Sequence, residues 1–356
     1  MIPVTKPFSP PIEEYKRHID GIWERNWFTN NGPLVLELEK KLRQHLDLQQ
    51  LLFLGNGTIA IQIAIKALEL KGEIITTPFS YVATTSSIVW ENCVPVFADI
   101  DEETLNISPA SIEACITEKT TAILATHVYG NPCDIDAIDA LAKKHGLKVI
   151  YDAAHCFGTL YKGRSVFGFG DVSTTSFHAT KLFHTIEGGA VFSTDEAVHA
   201  RMSYMRNFGH NGPVTFAGLG INGKNSEFHA AMGLVNLNYI AEILEKRQLV
   251  HQWYDRLLQG KDVRKPAVTA QSTFNYSYYP LVFPSEEILL QVIDKMQQQN
   301  IFPRRYFYPT LSSLHYVTNP YKTPIADAVS KRVICLPLFH TITEEEVMQV
   351  SQAIQF

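Results

Sequence analysis

Between Leu51 and Asp152 the chain alternates short apolar runs with helical stretches, and this alternation restricts the fold more than any other feature. LLFLGNGTIAIQIAIKALELKG reads as a strand, a turn at 55–58 and an apolar helix. EIITTPFSYVATTSSIVWENCVPVFADI reads strand, loop, helix, strand. Helix followed by strand recurs in SPASIEACITEKTTAILATHVYG and in CDIDAIDALAKKHGLKVIYDAAH. Strands separated by helices pair in parallel within one sheet that the helices cover. The runs AILAT and KVIYD are apolar on successive residues, the pattern of strands buried on both faces.

The pattern changes after Asp171. Two β-type runs, 173–177 and 190–193, follow without a long helix between them, and DEAVHARMSYMRNF then reads as a helix. After about Tyr239 a long helix, IAEILEKRQLVHQWYDRLLQ, leads into a strand-like SYYPLVF, a helical SEEILLQVIDKMQQQN, an aromatic FPRRYFYP and a final helix after Thr343. A chain of 356 residues exceeds what one compact core usually holds. The expectation is an α/β protein of two unequal domains, a large one over 1–240 and a smaller C-terminal one over 241–356.

Hydrophobic residues make up 46% and charged residues 19% of the chain, ordinary values for a globular protein. The formal net charge is −5 and no lysine- or arginine-rich run occurs, which argues against nucleic acid and acidic membrane surfaces as partners. A local basic pocket for a phosphorylated ligand is still compatible with that balance. The N-terminal MIPVTKPFSPPIEEYKRHID lacks the apolar core of a signal peptide, and no apolar run is long enough to span a bilayer, so a cytoplasmic location is expected. The five cysteines, Cys93, Cys115, Cys133, Cys156 and Cys335, form no close pair and read as buried thiols.

The chemistry centres on Lys181, in STTSFHATKLFHTIEGGAVFS (173–193). A lysine in a loop is most often a solvated charge. This one lies among small and apolar residues between two β-type runs, flanked by His178, His184 and Glu187. A desolvated lysine loses proton affinity and becomes an amine nucleophile able to form a Schiff base. Pyridoxal phosphate is the aldehyde whose other needs can be sought here: an acid for the pyridine nitrogen, a cup for the phosphate and a flat group against the ring. Asp152 ends the KVIYD strand; alone it either faces solvent and caps a turn or meets the ring nitrogen. Gly57 and Thr58 stand where a strand becomes a helix, a place that suits a phosphate, although Thr58 as a plain N-cap explains the same residues. Ser176 can add a hydroxyl to that phosphate. Tyr81, in PFSYVATT, can lie on the ring or belong to the core.

Three other chemistries are unsupported. GLGING (218–223) matches the dinucleotide spacing, but no convincing central strand precedes it, and the acid about twenty residues on, Glu242, lies in a helical pattern. The SE pair at 226–227 instead opens a helix. His127, His155, His178, His184 and His210 form no metal spacing, so no metal is expected. No G-x-S-x-G elbow is present for serine hydrolysis.

The ordered set GNGT (55–58), PFSYVAT (78–84), YDAAHCFG (151–158), SFHATK (176–181), EGG (187–189) and GINGKNSEFHAAMG (220–233) resembles the DegT/DnrJ/EryC1/StrS family of pyridoxal-phosphate-dependent sugar aminotransferases. The resemblance extends from WFTNNGPLVLELEKKL near the start to KRVICLPLF near the end. It implies the fold-type I (aspartate aminotransferase-like) architecture, with a large, mostly parallel-sheet α/β domain and a smaller C-terminal α/β domain. It also implies a homodimer with shared active sites.

Residue by residue, the resemblance gives Lys181 the Schiff base and the proton transfer, Asp152 the pyridine nitrogen, Tyr81 the ring face, and Gly57, Thr58 and Ser176 the phosphate. His155 stands where many members have glutamine, beside the ring hydroxyl. Asn222 matches an asparagine that reaches the phosphate from the partner subunit. Asn56 replaces a common serine, and Lys224 stands where arginine is common, without arginine's planar fork. L-Glutamate as donor and a nucleotide-linked keto-deoxy sugar as acceptor are family expectations, with pyridoxamine phosphate between the two halves. Within the family, ERNWFTNNGP and GINGKNSEFHAAMG are most similar to enzymes forming dTDP-4-amino-4,6-dideoxyglucose from its 4-keto-6-deoxy precursor for O-antigen and other surface polysaccharide. Arg305, Tyr308 and His315, in RRYFYPTLSSLHY, are candidates for the sugar pocket along with Lys224.

A sugar 3-dehydratase on the same scaffold is the alternative, disfavoured because those relatives carry histidine in place of the lysine at 181. Another fold-type I lyase or aldolase would not need the GINGKNSE loop. A non-catalytic regulatory homologue would have no need of every cofactor-facing residue.

Overall fold

A computed structural model describes residues 1–318 and 321–355. Its centre is a seven-stranded sheet in the order Leu52–Leu54, Gly189–Phe192, Val172–Ser176, Lys148–Asp152, Thr120–Thr126, Glu73–Thr76, Val94–Phe97. Only Gly189–Phe192 runs against its neighbours. The change of pattern after Asp171 is therefore a reversal of strand direction. The parallel α/β expectation holds for the rest of the sheet.

Successive side chains of a strand point to opposite faces, and both faces here are covered. Ile75, Ile123, Ala125, Val149 and Tyr151 join one core, with the helices Pro33–Leu46 and Ile135–His145 against it. Ile74, Ala122, Leu124 and Ile150 join another, against the helix Gly57–Ala67 and against Val198 and Met202. The apolar run in each strand is the result of serving both faces.

The C-terminal part packs Ile240–Leu257, Glu286–Gln298 and Glu344–Ala353 around the antiparallel pair Pro280–Val282 and Val333–Cys335. The chain's first strand, Ile2–Pro3, pairs in parallel with Ile301–Phe302, so the N-terminus belongs to this second core. An apolar seam, including Phe79, Tyr129, Val282, Phe307 and Cys335, joins the two parts and brings the 304–308 segment over the sheet.

Two further helices, Ile12–Arg25 and Pro33–Leu46, precede the first sheet strand. Pro33–Leu46 has no side-chain cap of its own. The buried carboxylate of Glu227 accepts the N–H groups of Leu34 and Val35 at 3.0 and 2.9 Å, where the helix dipole favours negative charge. All five cysteines are free and buried. Among the described residues no helix is long and apolar enough to cross a membrane, and no cluster of metal-ligating side chains occurs.

Candidate active site

A cavity of about 320 Å³ opens at the C-terminal ends of the parallel strands, where open α/β sheets place their ligands. Its wall includes Gly57, Thr58, Tyr81, Asp152, His155, Ser176 and Lys181, seven residues singled out from the sequence.

The turn from Leu52–Leu54 into the helix Gly57–Ala67 is capped by Asn56, not by Thr58. Asn56 Oδ1 accepts the Ile59 N–H at 2.8 Å and its carbonyl accepts the Ala60 N–H at 3.2 Å. Thr58 sits inside the first turn, where its hydroxyl is spare. The first N–H groups of a helix lack intrahelical partners, and those of Gly57 and Thr58 lie in the cavity wall beside Ser176. A Cβ on Gly57 would lie 3.0 Å from Ser176 Cβ, so the glycine keeps this cradle open.

The diglycine has a similar reason. A Cβ on Gly189 would sit 2.5 Å from the carbonyl carbon and oxygen of Asn56, and one on Gly188 would sit 2.1 Å from Thr185 Oγ1. The cradle rests directly on the strand Gly189–Phe192.

Lys181 sits on a loop that aromatic packing holds in place. Phe183 stacks on Phe157 at 4.4 Å and meets Phe177 edge-on at 5.0 Å. His184, one of its flanking histidines, is buried; its Nε2 lies 2.8 Å from the Phe8 carbonyl and its ring also contacts Asn236. It is structural. His178 lies 3.6 Å from Glu187 at the rim. Burial pushes the Lys181 amine down to about 8; the Asp152 carboxylate pulls it up and the Arg304 guanidinium adds to the lowering.

Asp152 is 7% exposed. Its Oδ2 accepts from Thr84 Oγ1 at 2.7 Å and its Oδ1 from the Ala154 N–H at 3.2 Å. Burial raises its pKa, and these two donors and Lys181 oppose that rise. His155 is held well below its usual range by burial and by Lys181, so its ring is neutral. That ring packs on Tyr278 at 4.6 Å and on Phe307 at 5.9 Å, and its buried Nδ1 has no protein partner. Tyr81 begins the helix Val82–Trp90 and is 60% exposed at the cavity.

A second space of about 240 Å³ adjoins the first, sharing Tyr81, Arg304, Tyr306 and Phe307. Arg305 and Tyr308 line it, but the Arg305 guanidinium is engaged: it donates to Glu286 at 2.7 Å and to the Lys331 carbonyl at 2.8 Å, and lies 3.5 Å over the Tyr308 ring. The arginine that lines both spaces is Arg304, which has no carboxylate partner among the described residues. Antiparallel bonds with Cys335 at 3.1 and 2.9 Å hold its backbone in place. Sequence reading chose the neighbour because two adjacent arginines differ only in the side of the backbone they occupy. Thr84, Tyr278 and Phe307 were missed as well; PFSYVAT contained Thr84, but nothing in the string marks it as the partner of Asp152.

His315 lines neither space; its ring meets Tyr316 edge-on at 5.3 Å. Asn222 and Lys224 also lie outside the cavity wall. Lys224 Nζ donates to Asn222 Oδ1 at 2.8 Å and sits 4.5 Å over the Phe208 ring. GLGING lies in the irregular connection between the helices Glu196–Met205 and Glu227–Leu237, with no strand before it. Around it Phe208, Phe216 and Leu219 are exposed.

The cavity therefore holds a low-pKa amine, a buried carboxylate, free N–H groups at a helix start and an unpartnered imidazole nitrogen. These fit a phosphorylated pyridine aldehyde, with Asp152 at the ring nitrogen, His155 at the ring hydroxyl and the Gly57–Thr58–Ser176 cradle at the phosphate.

Comparison with known proteins gives the family. The model of the DegT/DnrJ/EryC1/StrS aminotransferase family matches residues 11–355. The chain is 38% identical to the dTDP-4-amino-4,6-dideoxy-D-glucose transaminase of Escherichia coli, over 99% of this chain and 97% of the relative. It is 40% identical to the transaminase of the same name from Shigella dysenteriae, over 96% and 95%. Among solved structures, DesI in the presence of its TDP-sugar product superposes with a TM-score of 0.94 at 29% identity, covering 99% of this chain and 91% of that one.

Proposed function

The chain belongs to the DegT/DnrJ/EryC1/StrS aminotransferase family, and we propose that it transfers the amino group of L-glutamate to dTDP-4-keto-6-deoxyglucose, giving dTDP-4-amino-4,6-dideoxyglucose. The observation that carries this reading is the placement of Lys181, Asp152 and the Gly57–Ser176 cradle in one cavity of a chain so similar to transaminases of that name.

Bound in this cavity, pyridoxal 5′-phosphate supplies the electron sink for a carbanion next to nitrogen and carries the amino group between the half-reactions as pyridoxamine 5′-phosphate. The residues do the rest. Asp152, kept from solvent and fixed by Thr84, would set its carboxylate against the ring nitrogen. Lys181 Nζ, deprotonated above about pH 8, takes the proton from the α-carbon of the donor and later returns one to the sugar carbon. Tyr81, exposed at the cavity, would cover one face of the ring. Arg304 supplies the guanidinium in the wall for an anionic group of either substrate. A lysine at 181 disfavours the dehydratase alternative.

The enzyme works as a homodimer in this proposal. Asn222 is exposed and outside its own cavity, and a second copy would bring it to the phosphate, with Lys224 beside it. Residues 1–240 form the cofactor unit and 241–356 the smaller one, the first strand excepted. The protein acts in the cytoplasm and its product feeds surface polysaccharide such as O-antigen. Incubation with L-glutamate and the dTDP-linked keto sugar tests the assignment: mass spectrometry should find the amino sugar and 2-oxoglutarate in equal amounts. An acceptor sugar recovered without nitrogen would refute it.

A further inference from the structure

A second cavity of about 320 Å³ lies on the other side of the 274–280 segment from the catalytic one. Successive residues of this segment serve the two sides. Phe274, Tyr276 and Tyr279 line the second cavity. Tyr278 lines the catalytic one, while Asn275 donates to the carbonyls of His155 and Phe157 at 2.7 and 3.0 Å, and Ser277 Oγ to that of His155 at 3.1 Å. Tyr276 holds a φ of 55°, a left-handed conformation that a tyrosine rarely adopts. The helix Ile240–Leu257 grips the strip: Arg247 donates to the carbonyls of Tyr276 and Ser277 at 3.5 and 3.1 Å, and the His251 ring bonds the Tyr278 backbone.

The second cavity has the make-up of a small-molecule site, mostly apolar with a few polar groups. Aromatic rings form one wall. From the helix come Gln248 and Gln252, both exposed at the cavity's open side, whose carboxamides have no protein partner among the described residues. His251 is 6% exposed and its Nε2 is unpartnered. Among the described residues the charges in the wall are Asp255 and Lys265, which neutralise each other at 2.6 Å. An uncharged ligand is thus favoured. A carboxamide offers a donor and an acceptor side by side, the complement of a ring edge with adjacent C=O and N–H groups.

We propose that this cavity binds an uncharged planar heteroaromatic ring with adjacent N–H and C=O groups, the chemistry of a pyrimidine base, and that the bound ring tightens the 274–280 strip against the backbone of His155 and Phe157. The binding step is independent of the proposed transamination. Thymidine and uridine are the probes, titrated calorimetrically into the full chain while hydrogen–deuterium exchange is followed at 153–159 and 274–280. Saturable binding should slow exchange severalfold in both segments. Gln252→Trp, a change on the exposed helix surface that fills the cavity, should abolish both effects. Gln248→Leu should weaken binding roughly fivefold by removing the amide pairing. Absence of binding by either nucleoside, binding that survives Gln252→Trp and Gln248→Leu unchanged, or binding that leaves 153–159 unprotected overturns the proposal.

Discussion

Thr84 Oγ1 donates a 2.7 Å hydrogen bond to Asp152 Oδ2, tying the first turn of the helix Val82–Trp90 to the end of the strand Lys148–Asp152. Burial favours the neutral form of Asp152, and this bond is the largest influence opposing it. Thr84→Val removes the donor at nearly constant shape. The donor stabilises the ionised carboxylate, so without it the Asp152 pKa should rise further. The acid limb of the pH–kcat profile should move upward with it. A limb that stays in place would show that Thr84 only packs there.

The Lys181 amine attacks only when neutral, and burial brings its pKa down from 10.5 to about 8. Loading of the cofactor-free protein should accelerate as pH rises through about 8 and level off above it. Asp152→Asn removes a neighbouring negative charge, so the midpoint should fall. Arg304→Gln removes a positive one, so it should rise. Stopped-flow absorbance during loading gives both midpoints; a wild-type midpoint near the ordinary lysine value would contradict the desolvation argument.

Gly189→Ala places a methyl group 2.5 Å from the Asn56 backbone. Backbone cannot swing away as a side-chain tip can, so the cradle must shift. A destabilisation of about 1–3 kcal/mol in urea is expected, the usual cost of overpacking. Cofactor retention on dialysis should fall as well. Wild-type retention in a folded variant would mean that the Asn56–Thr58 turn does not hold the phosphate.

Co-expressed Lys181→Ala and Asn222→Ala chains test whether the site is shared. In a hybrid dimer one site loses both residues and the other keeps both. Purified hybrids should recover up to half of wild-type turnover, above either parent. Hybrids no more active than the parents would confine Asn222 to its own subunit.

The local readings succeeded where a residue's role follows from its own strand or loop. KVIYD placed Asp152 at a strand end because Val149, Ile150 and Tyr151 before it alternate between the two cores. SFHATK placed Lys181 in a loop flanked by apolar residues, and Phe157, Phe177 and Phe183 supply the packing. The missed features depend on partners distant in sequence. Glu227 opens the helix Glu227–Leu237 as expected, yet its carboxylate caps the helix Pro33–Leu46 through Leu34, 193 residues earlier. The strand Ile2–Pro3 is completed only by Ile301–Phe302. Arg304 and Arg305 are equivalent in the string RRY until Glu286 takes one of them.

The most direct test of the central claim is the visible spectrum of the purified protein loaded with pyridoxal 5′-phosphate, before and after L-glutamate. Wild type should show a yellow band that glutamate bleaches, with 2-oxoglutarate released, while Lys181→Ala should show no such band and turn over roughly 10²–10⁴-fold more slowly. A wild-type protein that stays colourless with the cofactor, or a Lys181→Ala variant that transaminates at the wild-type rate, would contradict the account.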